Sequence, residues 1–198
     1  MSNVSRGFTG RRRNDDVKLP PGQHLATDFP VLSAGPTPHI PLDQWELTIR
    51  RGPKPIARWD WKSFTGLPIE SISVDIHCVT HWSKIATKWE GVSVETLMRN
   101  IDLGDASFSL VESFGGYSTN VPLEDLRNGK AWIAFRYDGQ DLAPEHGGPA
   151  RLLVPHLYFW KSAKWVTSIR LFDHDEPGFW ETRGYHNYGD PWKEERYS

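Results

Sequence analysis

Residues 73–84 read S-V-D-I-H-C-V-T-H-W-S-K and contain the only cysteine of the chain, Cys78. Apolar, β-branched residues alternate with other residues from Ile72 to Ile76, which predicts a strand within residues 69–82 that runs into a turn. Histidines flank the thiol, one directly before it and one three residues after it. The function predicted for the chain depends on what this single thiol does.

The composition of the whole chain limits the classes of protein to which it can belong. Its 198 residues, 38% of them hydrophobic, suffice for one large domain with a core. The net charge of -2 argues against a protein that coats nucleic acid or an anionic membrane. One cysteine excludes an internal disulfide, a four-cysteine zinc site and a C-x-x-C redox pair. No apolar run approaches the roughly 18 to 20 residues that cross a bilayer.

The polar N-terminal segment predicts a flexible arm over residues 1–25, followed by a single domain over residues 26–198. The chain starts M-S-N-V-S-R-G-F-T-G-R-R-R, with arginines but no apolar segment behind them, so we expect no export signal. We therefore expect a cytoplasmic protein, and the single cysteine is compatible with a reducing compartment.

Hydrophobic patterns predict a single mixed α+β domain, rich in strands and with short helices. Ser93 stands at the N-cap position of a short helix in V-S-V-E-T-L-M-R-N-I, and V-P-L-E-D-L from Val121 predicts another. Further strands are predicted at W-E-L-T-I-R from Trp45 and at residues 108–114, 131–137, 151–155 and 165–172.

Three roles for Cys78 follow from the residues alone. A lone buried cysteine packs as a small hydrophobe, and a cysteine nucleophile requires a base from elsewhere in the fold. Zinc held by His77, Cys78 and His81 is disfavoured, because a strand would direct the two histidines to one face and the thiol to the other. The residues themselves leave the first two roles open.

Several blocks resemble, in the right order, the sulfite oxidase family of molybdopterin enzymes, and most closely its small bacterial members that consist of the molybdopterin-binding domain alone. The resemblance runs from about residue 29 to the end. Its blocks include W-E-L-T-I-R-R-G from residue 45, V-D-I-H-C-V-T-H-W-S-K from 74, K-W-E-G-V-S-V-E-T-L-M from 88 and A-P-E-H-G-G-P-A-R-L-L-V-P from 143. In that family the cysteine of the C-V-x-x-W block is a thiolate ligand of molybdenum, which implies the same role for Cys78. A polarizable thiolate suits such a metal, and the cofactor's dithiolene would supply the remaining sulfur ligands.

The resemblance also implies a set of cofactor-binding residues. Molybdopterin carries an anionic phosphate, so basic side chains are expected beside it, foremost Arg151 of the P-x-R-L-x-V-P block. His146 stands where some relatives carry asparagine, and Ser113 where relatives carry threonine. The implied set is Leu32, Ser33, Ala34, Cys78, Ser113, His146, Arg151, Lys161, Ser162, Ala163 and Lys164.

The C-terminal stretch G-F-W-E-T-R-G-Y-H-N-Y, residues 178–188, resembles the part of the family's domain that folds back towards the metal. This implies that Tyr185 and His186 lie at the mouth of the site as catalytic residues. In the alternative interpretation, His186 and Tyr188 only satisfy one another or the backbone.

The function implied is a molybdenum oxidoreductase that moves an oxygen atom and two electrons to or from a small substrate: sulfite, a sulfoxide or another oxyanion. Sulfite oxidases carry arginines close after the metal cysteine, whereas this chain has V-T-H-W-S-K, and Thr80 replaces the glutamate of the methionine-sulfoxide-reducing relatives. A C-x-x-C-H haem motif is absent from the sequence, so we expect a separate electron-transfer partner. The alternatives are an inactive scaffold, or a binding module that stacks sugar or peptide on its tryptophans. Those tryptophans are Trp82, Trp89, Trp160, Trp165 and Trp180.

Overall fold

The computed structural model describes residues 17–198, which form β-strands joined by short helices. In chain order the strands are β1 (His24–Leu25), β2 (Glu46–Arg51), β3 (Lys54–Asp60), β4 (Glu70–His77), β5 (Trp82–Ser93), β6 (Phe108–Ser113), β7 (Ser118–Pro122), β8 (Trp132–Tyr137), β9 (Gln140–Asp141), β10 (Arg151–Leu153) and β11 (Val166–Phe172). The α-helices are α1 (Trp61–Thr65), α2 (Val94–Met98) and α3 (Leu123–Leu126). Short 3-10 helices span Pro144–His146, Phe159–Lys161, Glu181–Arg183 and Pro191–Lys193. The predicted strand-rich α+β fold with short helices is confirmed.

The strands form two sheets. One has the order β1-β5-β8-β10, with β4 also paired to β5 and β9 to β8, and the other has the order β3-β2-β11-β6-β7. Strand β2 pairs in parallel with β11, although the two lie far apart in the chain, and the other pairs of that sheet are antiparallel. Early and late parts of the chain thus meet in one sheet.

The larger apolar cluster lies between the sheets. Leu47 and Ile49 of β2, Val111 of β6, Ile133 of β8 and Leu152 of β10 are all fully buried in it. These residues come from both sheets, so the sheets are joined through their apolar faces. Burial of each such side chain stabilises the fold by about 1.5–3 kcal/mol.

The predicted segment around Cys78 forms an antiparallel hairpin of β4 and β5. β4 ends at His77 and β5 begins at Trp82, and the Cys78 amide donates to the Trp82 carbonyl at 2.8 Å. The His81 amide donates to the Cys78 carbonyl at 3.1 Å, and His81 has a φ of 75°, as tight turns often require. The predicted strand and turn are confirmed. The long strand β5 was not predicted, because a register shift and the φ of 51° at Ala86 interrupt its alternation.

The other predicted elements agree with the structure, and several further observed elements were not predicted. Ser93 caps α2, since its Oγ accepts from the Thr96 amide at 3.3 Å. The remaining predicted strands correspond to β2, β6, β8, β10 and β11, and the helix predicted from Val121 to α3. The elements β3, α1 and β7 were not predicted. Within residues 17–198, no helix has both the length and the apolar character required of a membrane span.

The predicted N-terminal arm, residues 1–25, is described only from residue 17. His24 and Leu25 form β1, which pairs in parallel with Trp82 and Ser83 at the start of β5. The sheet therefore includes residues that precede the predicted domain boundary at residue 26. Residues 1–16, which include the arginines Arg11, Arg12 and Arg13, lie outside the described residues.

Candidate active site

A cavity of about 570 Å³ opens beside the turn that carries Cys78. Five separated segments line it, within residues 29–38, 78–82, 114–117, 146–165 and 179–185. The volume is that of a site for a cofactor or another small molecule. Distant parts of the chain thus build one concave site around the single thiol.

The Cys78 thiol lines the cavity and is 7% exposed. Burial raises its pKa, while a hydrogen bond with Thr80 and the charge of Arg196 act in the opposite direction. The Sγ atom lies 3.1 Å from Thr80 Oγ1, and the Gln23 side-chain amide donates to the Cys78 carbonyl at 3.0 Å. A buried thiol of this kind becomes a thiolate when a metal binds it.

The zinc and nucleophile roles considered for Cys78 find no support in the geometry. His77 Nδ1 lies 2.8 Å from Ser83 Oγ, and His81 Nδ1 lies 2.9 Å from the Gly22 carbonyl oxygen. Among residues 17–198 no histidine is hydrogen-bonded to the thiol as a nucleophile's base would be, and no group of three or more His, Cys, Asp or Glu side chains is arranged to hold a metal ion. A metal at Cys78 would therefore have to obtain its other ligands from a bound molecule.

Arg151 and Lys164 also line the cavity. The Arg151 guanidinium is buried, lies 4.0 Å from the centre of the Phe159 ring, and donates to the carbonyls of His146 at 2.8 Å and Ser162 at 2.6 Å. Burial lowers the pKa of Arg151 to about 9. Burial and then the charge of Arg151 lower the pKa of Lys164 to about 8.

These two cations provide the test of whether the cavity suits an anionic cofactor. Within residues 17–198 neither Arg151 nor Lys164 forms an ion pair with a carboxylate, and the hydrogen bonds of Lys164 go to the backbone carbonyls of Leu32 and Glu145. The buried indole N–H of Trp82, another lining residue, also lacks a hydrogen-bond partner among those residues. Buried charge is costly without a partner, so the site suits a ligand that brings negative charge and hydrogen-bond acceptors. The anionic phosphate and polar pterin of molybdopterin fit this requirement.

The segment before Arg151 lies close to both cations. The His146 ring stacks on Phe29 with centroids 3.9 Å apart, and burial, followed by the charges of Arg151 and Lys164, lowers the pKa of His146. Gly147 has a φ of 108°, and a Cβ there would lie 3.0 Å from the Cβ of Arg151 and 3.1 Å from the Cα of Lys164. The glycine thus allows the backbone to pass close to the cations.

Most of the predicted site residues meet at this cavity. Leu32, whose carbonyl accepts from Lys164 Nζ at 2.7 Å, lies at its edge and is 48% exposed. The predicted residues that line the cavity are Leu32, Ser33, Ala34, Cys78, His146, Arg151, Ser162, Ala163, Lys164 and Tyr185.

Lys161, predicted as a cofactor ligand, is bound by other side chains and by the backbone. Its ammonium group lies 2.6 Å from Glu181 Oε1, and it donates to Asn120 Oδ1 and to the Asn187 carbonyl, both at 2.7 Å. The side chain is fully buried and does not line the cavity. Because these acceptors use all three of its N–H groups, Lys161 is a structural residue.

Ser113 and His186 are likewise not among the residues that line the cavity. Ser113 ends β6, and its buried hydroxyl lacks a hydrogen-bond partner within residues 17–198. His186 Nδ1 accepts from the amides of Tyr188 and Gly189, both at 3.1 Å. The hydrogen bonds to the backbone agree with the alternative interpretation of His186, and its place at the mouth stays a prediction.

The structure adds lining residues that were not predicted. Trp180 stacks on Tyr185 with ring centroids 4.8 Å apart, and the Tyr117 hydroxyl donates to the Trp160 carbonyl at 2.6 Å. Burial raises the pKa of Tyr117 well above its ordinary value. The richness of the sequence in aromatic residues was the only signal for this wall. Further unpredicted lining residues are Phe29, Phe114, Gly115, Gly116, Phe159, Trp160 and Phe179.

Four of the five tryptophans considered for a stacking surface are buried. Trp82, Trp89, Trp160 and Trp165 are at most 8% exposed. Trp82, Trp89 and Trp160 belong to the second apolar cluster, which packs around Cys78. Their main contribution is therefore to the core and to the cavity walls.

Comparisons with known proteins agree with this geometry. The sequence model of the protein family described as the oxidoreductase molybdopterin binding domain matches residues 34–180. The uncharacterized oxidoreductase YuiH of Bacillus subtilis is 36% identical over 198 residues, which cover 96% of this chain and 98% of that protein. The catalytic subunit MsrP of the protein-methionine-sulfoxide reductase of Gluconobacter oxydans is 28% identical over 73% of this chain, which spans only 52% of that protein.

A solved structure supports the fold. The sulfane dehydrogenase SoxCD of Paracoccus pantotrophus superposes with a TM-score of 0.62 at 19% identity, over 70% of this chain and 41% of that one. At this identity the likeness concerns the fold alone.

Proposed function

The chain belongs to the family of oxidoreductases with a molybdopterin-binding domain, an enzyme family that uses molybdenum and molybdopterin. On this premise we propose that Cys78 is the protein's thiolate ligand of molybdenum. We also propose that the substrate is a small uncharged oxygen-atom donor or acceptor, such as a sulfoxide. The observation that carries the proposal is that two basic side chains and the single thiol line one cavity. The lining cations Arg151 and Lys164 are on one segment, and the only thiol is on another.

The chain's residues have distinct roles in this proposal. Arg151, Lys164 and His146 would hold the anionic and polar parts of the cofactor, and Cys78 would hold the metal. When bound, the cofactor supplies the two-electron redox chemistry and the oxygen-atom transfer. The aromatic wall of Trp180 and Tyr185 keeps water from one side of the site and orients a small uncharged substrate.

A neutral substrate is favoured by the residues around Cys78. Val79, Thr80 and Trp82, the lining residues on the same segment as Cys78, carry no charged side chain. Arg151 and Lys164, the lysine and arginine side chains that line the cavity within residues 17–198, are assigned to the cofactor. The cavity lining within residues 17–198 thus offers a sulfite anion no lysine or arginine beyond those assigned to the cofactor. The name of the Gluconobacter relative, a methionine-sulfoxide reductase subunit, agrees with a sulfoxide.

We also infer a separate electron-transfer partner. The sequence contains no C-x-x-C-H motif for haem attachment, and MsrP is named as a catalytic subunit, that is, as one part of a larger enzyme. Electrons for a two-electron reaction would accordingly enter or leave through another protein.

The test is to purify the protein from a host that makes molybdopterin and to measure molybdenum by elemental analysis and pterin by fluorescence after release. Reduction of methionine sulfoxide and dimethyl sulfoxide by reduced viologen dye is then compared with oxidation of sulfite by ferricyanide. We expect bound molybdenum and sulfoxide reduction, and we expect Cys78→Ser to fold and retain pterin without turnover, because serine oxygen is a harder ligand. Turnover of sulfite alone would refute the substrate assignment, and full activity of Cys78→Ser would refute the ligand assignment.

A further inference from the structure

Arg196 contacts the turn that carries Cys78, although it is not among the residues that line the cavity. The residue is 7% exposed. Its Nη1 donates to the Val79 carbonyl at 2.7 Å and its Nη2 to the Pro21 carbonyl at 3.2 Å. The guanidinium lies 5.0 Å from the centre of the Tyr158 ring. One side chain thus joins the C-terminal segment, the N-terminal segment and the cysteine turn.

The junction around Arg196 is closely packed. Gly22 has a φ of 69°, and a Cβ at this position would lie 2.9 Å from Glu194 Oε1 and 3.2 Å from Arg196 Nη2. The carbonyl of Gly22 also contacts the His81 ring, at the far end of the turn. With this packing on several sides, the guanidinium has little freedom to move away from the turn.

The backbone around Arg196 also supports the segment of Tyr185, which lines the cavity. The His186 amide donates to the Arg196 carbonyl at 3.1 Å, and Tyr185 forms a β-bridge with Tyr197. The Ser198 amide donates to the Gly184 carbonyl at 3.1 Å. The backbone of Arg196 is therefore bound to the segment that contains Tyr185, and the side chain of Arg196 is bound to the turn that contains Cys78.

The charge of Arg196 is poorly compensated. The carboxylate paired with it, that of Glu194, lies 3.9 Å away and is 50% exposed, so water screens this pair. A buried positive charge next to the Cys78–Val79 peptide acts through a medium of low polarizability. Fixed positive charge near a metal centre stabilises its reduced, more electron-rich state and raises its reduction potential.

We propose that Arg196 is a positioning residue for the metal ligand: it fixes the turn that presents Cys78, and its charge raises the reduction potential of the bound molybdenum. This inference rests on the proposed function, since it requires Cys78 to bind the metal. It concerns a residue that contacts neither substrate nor metal and acts through the turn.

The test compares the holoprotein with the variants Arg196→Met and Arg196→Lys. The matched control is Arg58→Met, which removes an exposed arginine paired with Glu46 in the other sheet. The reduction potential of molybdenum is measured by a redox titration followed by electron paramagnetic resonance. Hydrogen–deuterium exchange of peptides that cover residues 77–83 reports the mobility of the turn.

We expect Arg196→Met to lower the potential and to accelerate exchange in the turn. Arg196→Lys keeps the charge but not the forked donor geometry, so its potential should stay near that of the wild type while exchange is still faster. Arg58→Met should change neither quantity. A wild-type potential with wild-type exchange in Arg196→Met would overturn the inference, and equal potential shifts in the methionine and lysine variants would overturn the role of the charge.

Two further comparisons keep the inference falsifiable. If Arg196→Met retains no metal, exchange in the turn is compared between the metal-free variant and the metal-free wild type, and unchanged exchange would overturn the positioning role. Cys78→Ser separates this inference from the proposed function. If Cys78→Ser leaves the resonance signal unchanged, the ligand assignment fails; if Cys78→Ser alters the signal and Arg196→Met alters nothing, only the role of Arg196 fails.

Discussion

Lys161 Nζ and Glu181 Oε1 lie 2.6 Å apart in an ion pair whose two side chains are 0% and 2% exposed. Glu181 also accepts from Trp160 Nε1 at 2.9 Å and from Thr119 Oγ1 at 3.2 Å. It directly follows Trp180, so the ion pair fixes the segment that carries the aromatic wall of the cavity.

Removal of Lys161 should therefore destabilise the fold. Lys161→Met leaves the Glu181 carboxylate buried without its cation, and loss of one partner of a buried pair costs about 3–5 kcal/mol. Urea unfolding gives the free energy of unfolding, and the double variant Lys161→Met with Glu181→Gln should recover part of the loss. The control Arg58→Met breaks an exposed pair and should cost less than about 1 kcal/mol. Equal losses of unfolding free energy in Lys161→Met and Arg58→Met would contradict a stabilising buried ion pair between Lys161 and Glu181.

Removal of Arg151 should lower the cofactor content of the purified protein. Charged hydrogen bonds contribute about 1.5–3 kcal/mol each, so Arg151→Met should weaken cofactor binding by about tenfold to a hundredfold. Arg151→Lys keeps the charge but loses the forked geometry, so its cofactor affinity should lie between those of the wild type and Arg151→Met. Pterin fluorescence and molybdenum analysis measure the occupancy, with Arg127→Met as the control, because Arg127 pairs with Glu95 at the surface. Full occupancy in Arg151→Met would exclude Arg151 from cofactor binding.

Lys164 predicts a pH dependence with a definite sign. Its folded-state pKa of about 8 lies below the ordinary value of 10.5, so between these values the unfolded chain binds more protons than the folded one. The contribution of Lys164 to the free energy of unfolding of the cofactor-free protein should therefore rise with pH from about 8 to about 10.5. Below this window both states are protonated, and the burial cost is constant.

Unfolding of the cofactor-free wild type and of Lys164→Met, measured across this pH window, checks the prediction. The difference in free energy between the two proteins should change in favour of the wild type as pH rises. Cofactor affinity should change in the opposite direction, because the neutral amine no longer attracts an anion. Parallel stability curves for the two proteins would show that Lys164 does not titrate in this window.

Substitution of Tyr185 should lower activity, whereas substitution of its neighbour His186 should not. Tyr185 lines the cavity, so Tyr185→Phe should lower kcat/KM by about a hundredfold if its hydroxyl moves a proton, with molybdenum content unchanged. In His186→Asn the amide oxygen can replace Nδ1 as acceptor for Tyr188 and Gly189, so activity should remain. Steady-state kinetics with metal analysis of both variants measures this. The reverse order of effects would return the catalytic role to His186.

Gly91 marks a close approach of two strands. A Cβ at this position would lie 2.5 Å from the carbonyl oxygen of Ile133 and 2.8 Å from the Cα of Ala134, both in the backbone of β8. Gly91→Ala should thus destabilise the fold by about 1–3 kcal/mol, seen as a lower Tm. Gly35→Ala is the matched control, because a Cβ there meets no atom within 4 Å. A Tm loss no larger than that of Gly35→Ala would show that the strands can separate at little cost.

Local patterns were sufficient to predict the elements that depend on nearby residues. The alternation from Ile72 to Ile76 and the cap at Ser93 both correspond to observed elements, because strand faces and helix caps are set by residues a few positions apart. β5 and β7 escaped prediction. Their pairing with β4 and β6 depends on partners and bulges that a single segment does not show.

The sequence by itself determined that the chain has one thiol, that this thiol follows a strand, and that its blocks are those of a molybdopterin enzyme. Only the tertiary structure decided which cations are free to bind an anion. Lys161 and Lys164 are three residues apart and look alike in the sequence, yet Lys161 meets Glu181, whereas Lys164 lines the cavity without a carboxylate partner among the described residues. A buried charge is stable only beside a partner or a ligand, and which of these it meets depends on distances that the fold sets between residues far apart in the chain.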